Sequence, residues 1–95
     1  MDMLSEHEKE ILKERLSENM QMLRAKLGLS QSKLAEIMGV SRQTVNAVET
    51  GRQKMSWSLF ISLILFFSYN KGTRELLPVV KLDMKKLEKY LSNKE

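Results

Sequence analysis

Cysteine is absent from this chain of 95 residues, and histidine and proline occur once each. Without cysteine there is no disulfide, no thiol nucleophile and no sulfur-based metal site. His7 stands in a charged stretch without partners at a metal-ligand or triad spacing. Glycine is scarce too, and its four occurrences form no phosphate-binding loop. These gaps remove the common signatures of catalysis, so the expectation is no enzyme activity, no cofactor and no metal. The seven methionines read as chain start and core filler rather than as a ligand set. Long hydrophobic runs are missing as well. The longest uncharged run, residues 55–70, is interrupted by four serines and ends on an asparagine, whereas a membrane span needs about 20 apolar residues. A buried or interface helix is the expectation there. The charged first twenty residues argue against a secretory signal, and a cytoplasmic protein without a membrane segment is expected.

What charge there is lies unevenly. The net charge is +4, but the acids gather in residues 1–18 (Asp2, Glu6, Glu8, Glu10, Glu14, Glu18) and the bases dominate residues 19–55 and 71–95. A basic middle suits attraction to phosphate. The acidic start is ill suited to lie along DNA. Its sign is complementary to Lys81, Lys85, Lys86 and Lys89 near the other end.

Helix signals recur along the chain. Ser5 with Glu8 fits a capping box, and Leu12, Leu16, Met20, Leu23 and Leu27 form one stripe at spacings of three and four. That pattern predicts a helix from Glu6 to Lys26, stopped by Gly28. Ser30 caps a second helix, Gln31 to Met38, ended by Gly39. Ser41 caps a third, which runs to about Thr50 before Gly51. Ser56 caps a fourth, Trp57 to Tyr69, with Gly72 as its stop and Leu59, Leu63 and Phe67 as its packing stripe. All four glycines are thus expected at helix ends. Pro78 breaks the chain, Val79 and Val80 are expected to be briefly extended, and Asp83 caps a last helix, Met84 to Leu91, before a frayed end. The sum is an all-α fold.

The second and third helices carry the most information. Ala35 is small enough for a helix crossing, Val40 plugs the turn, and Val45 and Val48 point into the core from one face. Arg42, Gln43, Asn46 and Ala47 are left facing outward. That is the layout of two helices and a tight turn whose second helix enters the DNA major groove. Arginine can donate two hydrogen bonds to guanine, and glutamine or asparagine can pair in bidentate fashion with adenine.

With these residues in place, positions 19–70 resemble the DNA-binding domains of the Cro/CI-type (XRE) repressors. The residues that match are Leu23-Arg24, Gly28-Leu29-Ser30-Gln31, Leu34-Ala35, Gly39 through Val45, and Glu49-Thr50-Gly51-Arg52. The resemblance implies a repressor-like bundle of about five helices, to which the residue pattern adds an extended first helix and a C-terminal helical tail. It implies binding to double-stranded operator DNA, usually as a symmetric dimer. It also implies roles. Gln31 would bind a phosphate and brace the recognition helix, and Ser41, Arg42, Gln43, Thr44, Asn46 and Ala47 would lie against bases or nearby phosphates. Arg52 would contact the backbone, and Glu49 would be a structural acid, for which Arg24 is the partner of choice. Two departures stand out: Met55 replaces a frequent proline, and the fourth helix is more apolar than usual.

The expected organisation is therefore a helical N-terminal extension (1–18), a DNA-binding domain (19–70) and a C-terminal tail (71–95) that packs on the rest or serves dimerisation. The apolar surplus of the fourth helix (Trp57, Phe60, Ile61, Ile64, Leu65 and Phe66) is the candidate homodimer interface, since large exposed apolar patches mark association sites. The functional expectation is a transcriptional repressor acting as a homodimer on a palindromic operator. The alternative is a protein-interaction module, such as an antitoxin or anti-repressor, that uses the same apolar helix on a protein partner.

Overall fold

In the computed structural model, residues 4–82 and 84–92 are described. They form six helices: α1 (Glu6–Lys26), α2 (Gln31–Met38), α3 (Arg42–Glu49), α4 (Trp57–Tyr69), α5 (Lys71–Arg74) and α6 (Met84–Ser92). No strand occurs among the described residues, so the all-α expectation holds.

Each long helix starts where its serine can cap it. Ser5 Oγ accepts the Glu8 amide at 3.0 Å while the Glu8 carboxylate accepts the Ser5 amide at 2.9 Å. Ser30, Ser41 and Ser56 each accept the amide three residues on, satisfying one of the N–H groups a helix start leaves unpaired. Gly39 closes α2 in the left-handed conformation at φ 73°, which costs a residue with a Cβ about 1–2 kcal/mol.

The core is one cluster. Leu12, Leu16, Met20 and Leu23 of α1 are buried along the expected stripe, against Leu34 and Ala35 of α2, Val45 and Val48 of α3, and Phe60, Leu63, Ile64 and Phe67 of α4. Burying each of these large side chains stabilises the fold by about 1.5–3 kcal/mol. The buried row of α4 runs through Phe60 and Ile64 rather than through Leu59, which is only half-buried.

Beyond α4 the chain departs from expectation. Gly72 does not end α4: the helix stops at Tyr69, Asn70 turns extended, and Gly72 lies inside α5. Side chains do the terminating. Asn70 Nδ2 donates to the Phe66 carbonyl at 2.8 Å, and the buried Thr73 hydroxyl donates to the Phe67 carbonyl at 2.6 Å. With the last carbonyls satisfied this way, no glycine cap is needed. Val79 and Val80 are not extended either. Residues 75–81 form turns, closed by bonds such as Val80 N–H to the Leu76 carbonyl at 3.1 Å and Leu82 N–H to the Leu77 carbonyl at 2.9 Å. The coiling lets Leu77 and Leu82 both reach the core, which an extended pair between them would prevent. The expected cap Asp83 and the last three residues lie outside the described residues.

The two ends of the chain meet. Lys86 pairs with Glu8, Arg15 Nη1 donates to the Lys81 carbonyl at 3.0 Å, and Leu87 is buried. Lys9 lies 5.2 Å above the Trp57 ring and 5.6 Å above the Tyr90 ring, a favourable arrangement for a cation on aromatic faces. These contacts tie the first half of α1 to α4 and α6.

Candidate nucleic-acid interface

Helix α3 is fixed from behind. Val45 and Val48 are buried, and Glu49 forms a two-pronged ion pair with Arg24 of α1, with Nε at 2.9 Å and Nη2 at 3.2 Å. The pair is largely enclosed, at 15% exposure for the Arg24 side chain and 5% for Glu49. Arg24 also donates to the Leu29 carbonyl at 2.9 Å, so one guanidinium fastens α3 and the α1–α2 turn together. The expected Arg24–Glu49 partnership is present.

The outward side of α3 carries Arg42, Gln43, Asn46 and Ala47. Arg42 and Gln43 are exposed, while Asn46, Ala47 and Thr44 are half-buried. Gln31, the first residue of α2, reaches across to α3. Its Nε2 donates to Glu49 Oε1 at 3.0 Å and to Asn46 Oδ1 at 3.2 Å, and its Oε1 accepts from Arg42 Nη1 at 3.3 Å. Gln31 thus braces α3, but both of its amide hydrogens are engaged within the protein. The main-chain N–H of Gln31, at the first position of a helix, has no intrahelical acceptor. A phosphate there would meet that N–H and the positive end of the helix.

Ser41 and Thr44 are joined at 3.0 Å between their hydroxyls, and Ser41 is occupied as the cap of α3. Arg52 is exposed just beyond α3, with its Nε donating to Thr50 Oγ1 at 3.1 Å. Thr50 in turn donates to the Asn46 carbonyl at 2.9 Å. Gln31, Arg42, Asn46 and Glu49 form one connected set, and Thr50 links Arg52 to the same helix. The Gln43 side chain makes no hydrogen bond among the described residues. The Thr50 prop and the contacts of Gln31 with Arg42 and Asn46 were missed in the sequence, because they depend on how α2 crosses α3 and on rotamers that spacing does not fix.

The candidate association face is smaller than the sequence suggested. Phe60 and Ile64 are buried in the core of the single chain, because α4 faces both the bundle and the returning tail. Trp57 stacks on Phe60 with ring centres 4.7 Å apart and meets Tyr90 edge-on at 6.3 Å, so its ring is partnered within the chain. Ile61 and Phe66 are half-buried, and Leu65 is open at 55% exposure. Between α4 and α6 lies an apolar groove of about 620 Å³ bordered by Ile61, Leu65, Tyr69 and Leu91, with Arg74 and Glu88 among its lining.

No group of three or more metal-ligating side chains occurs among the described residues, and no described helix is long and apolar enough to cross a membrane. Residues 20–56 match the family model described as Helix-turn-helix. The chain is 48% identical over 46 residues to the uncharacterized HTH-type transcriptional regulator YgzD of Bacillus subtilis, a span covering 48% of this chain and 70% of that protein. No solved structure matches it significantly. Arg24 clamped on Glu49, the capped α2–α3 pair and the polar outer face of α3 are the features this similarity covers, and the chain belongs to the XRE-type helix-turn-helix family.

Proposed function

We propose that this helix-turn-helix protein, a DNA-binding transcription regulator, is a repressor that binds a palindromic operator as a homodimer. The observation that carries the reading is the outer face of α3. Arg42, Gln43 and Asn46 stand on a helix whose other side is locked by Val45, Val48 and Glu49. Rigid presentation of a few polar side chains is what base discrimination in the major groove requires. Gln31, Ser41 and Arg52 flank that face and position it through phosphates, while Ala47 is suited to contact a thymine methyl.

The groove between α4 and α6 supports the dimer. In a two-fold contact the same patch meets itself, so Arg74 of one copy can face Glu88 of the other while Leu65, Tyr69 and Leu91 are covered. On a palindromic operator the two recognition helices should lie about 34 Å apart, one turn of DNA. Such a protein represses by occluding polymerase.

Selection from a random duplex pool with the purified protein tests this. An enriched palindrome with half-sites one turn apart is the expected result. Enrichment of a single unpaired half-site removes the dimer. No enrichment, with only weak salt-sensitive binding, removes specific recognition and leaves the apolar groove as a surface for a protein partner.

A further inference from the structure

Glu49 can only accept hydrogen bonds, so the amide of Gln31 that meets it at 3.0 Å must present its NH2 group. Arg42 can only donate, so the Gln31 atom that meets it at 3.3 Å must be the carbonyl oxygen. Two independent neighbours therefore assign the same orientation to Gln31. Its second N–H meets Asn46 Oδ1 at 3.2 Å, which turns the Asn46 amide so that its NH2 points away from Gln31. That NH2 has no acceptor among the described residues. The chain of bonds runs from the enclosed Arg24–Glu49 pair to the half-buried outer face of α3 without a break.

We infer that Glu49, held by Arg24, is a positioning residue for base choice: it sets the hydrogen-bond polarity of Gln31 and through it makes Asn46 a donor toward the major groove. A donor selects a base edge rich in acceptors, which is guanine with O6 and N7 or thymine with O4. It disfavours cytosine, which offers its N4 amino group there. Bidentate pairing with adenine needs both a donor and an acceptor from one amide. Gln43 has both available, whereas the acceptor of Asn46 is already engaged by Gln31. Asn46 and Gln43 are thereby given different tasks although their amides are chemically alike. The inference rests on the reading of α3 as the DNA-recognition helix.

The test is selection from a random duplex pool with the full-length parent and three variants, read as base ratios at each position of the enriched site. Asn46→Ala locates the position Asn46 reads by flattening it. The parent is expected to favour guanine or thymine there. Asn46→Asp keeps an acceptor toward Gln31 but turns an acceptor outward, so the preference should move toward cytosine by roughly tenfold in base ratio. Glu49→Gln removes the enclosed carboxylate and leaves only the exposed Arg42 bond to orient the Gln31 amide, so preference should fall at the positions read by Asn46 and Arg42 and persist at the one read by Gln43. A preference that Asn46→Asp leaves unchanged overturns the inference, as does a Glu49→Gln variant that binds more weakly with an unaltered base profile. If Glu49→Gln does not fold, the surface variant Asn46→Asp decides alone. A parent that enriches nothing removes DNA recognition itself and the inference with it, whereas an enriched parent with an unmoved Asn46→Asp profile removes only the inference.

Discussion

Helices α3 and α4 begin in the same way and end up with opposite surfaces. Each starts at a serine whose hydroxyl accepts the third amide. Helix α3 buries only Val45 and Val48 and sets its polar side chains in a bonded array. Helix α4 is apolar nearly all round, a pattern that demands cover on more than one side. Its surplus is divided three ways, among the core, the edge-on ring contact of Trp57 with Tyr90, and the open groove beside α6. A surplus on a helix therefore does not equal a free surface. Part of the polar surplus of α3 goes to orienting its own neighbours, and part of the apolar surplus of α4 is covered by the chain that returns over it.

The sharpest way to break this comparison is to cut each part of α4 separately. Phe60→Ala should cost about 3–5 kcal/mol in chemical denaturation, the range for large core truncations. Leu65→Ala should stay within about 0.5 kcal/mol of the parent while weakening self-association in sedimentation. Equal effects on stability would mean that Phe60 is not the core residue its burial indicates. For α3 the corresponding cut is Arg24→Met. It leaves the Glu49 carboxylate enclosed without its partner, and the expected loss is about 3 kcal/mol. Adding Glu49→Leu should recover much of that loss, because the double variant buries no charge.

Smaller effects separate reading from positioning. Arg42→Ala should relax preference at one base pair by about 1–3 kcal/mol, whereas Arg52→Ala should weaken binding to all sequences and reduce the salt slope by about 1. Fluorescence anisotropy with matched and mismatched duplexes at several salt concentrations distinguishes the two. Ser41→Ala and Ser56→Ala should each cost about 1 kcal/mol of stability, a symmetric result that would show the two helices differ in their faces and not in their starts.

The smallest effect lies at the junction of the two ends. The hydrogen bond from Lys86 and that from the Ser5 amide hold the Glu8 carboxyl down at about 2. The folded value is below the unfolded one, so the contribution is complete at neutral pH and is lost as pH falls from the ordinary carboxylate range toward 2. The pair is exposed, so the effect on Tm is slight. Lys86→Met should lower Tm a little above about pH 5 and by much less near pH 2. A gap of constant size across that range would assign the loss to packing of the lysine stem.

Residues Ser5, Ser30, Ser41 and Ser56 were readable in the sequence because capping is local: a hydroxyl three residues before an amide needs no distant partner. The stripe from Leu12 to Leu23 and the pair Val45 and Val48 were readable because helical periodicity is local too. The structural role of Glu49 followed from the resemblance to a family, with Arg24 as its expected partner. The stop of α4 at Asn70 and the coiled stretch 75–81 were not legible. They depend on Thr73 being buried against the Phe67 carbonyl and on Leu77 and Leu82 both reaching a core built by other segments.

The sequence by itself determined the helix starts, the left-handed turn at Gly39 and the outward set Arg42, Gln43 and Asn46, since each of these follows from bonds and sterics within a few residues. Only the tertiary structure decided which apolar residues of α4 remain open, where the tail lies, and which end of the Asn46 amide faces outward. Those are decided by neighbours far apart in the chain, whose meeting no local pattern encodes: Tyr90 and Lys9 against Trp57, and Arg24 through Glu49 and Gln31 against Asn46.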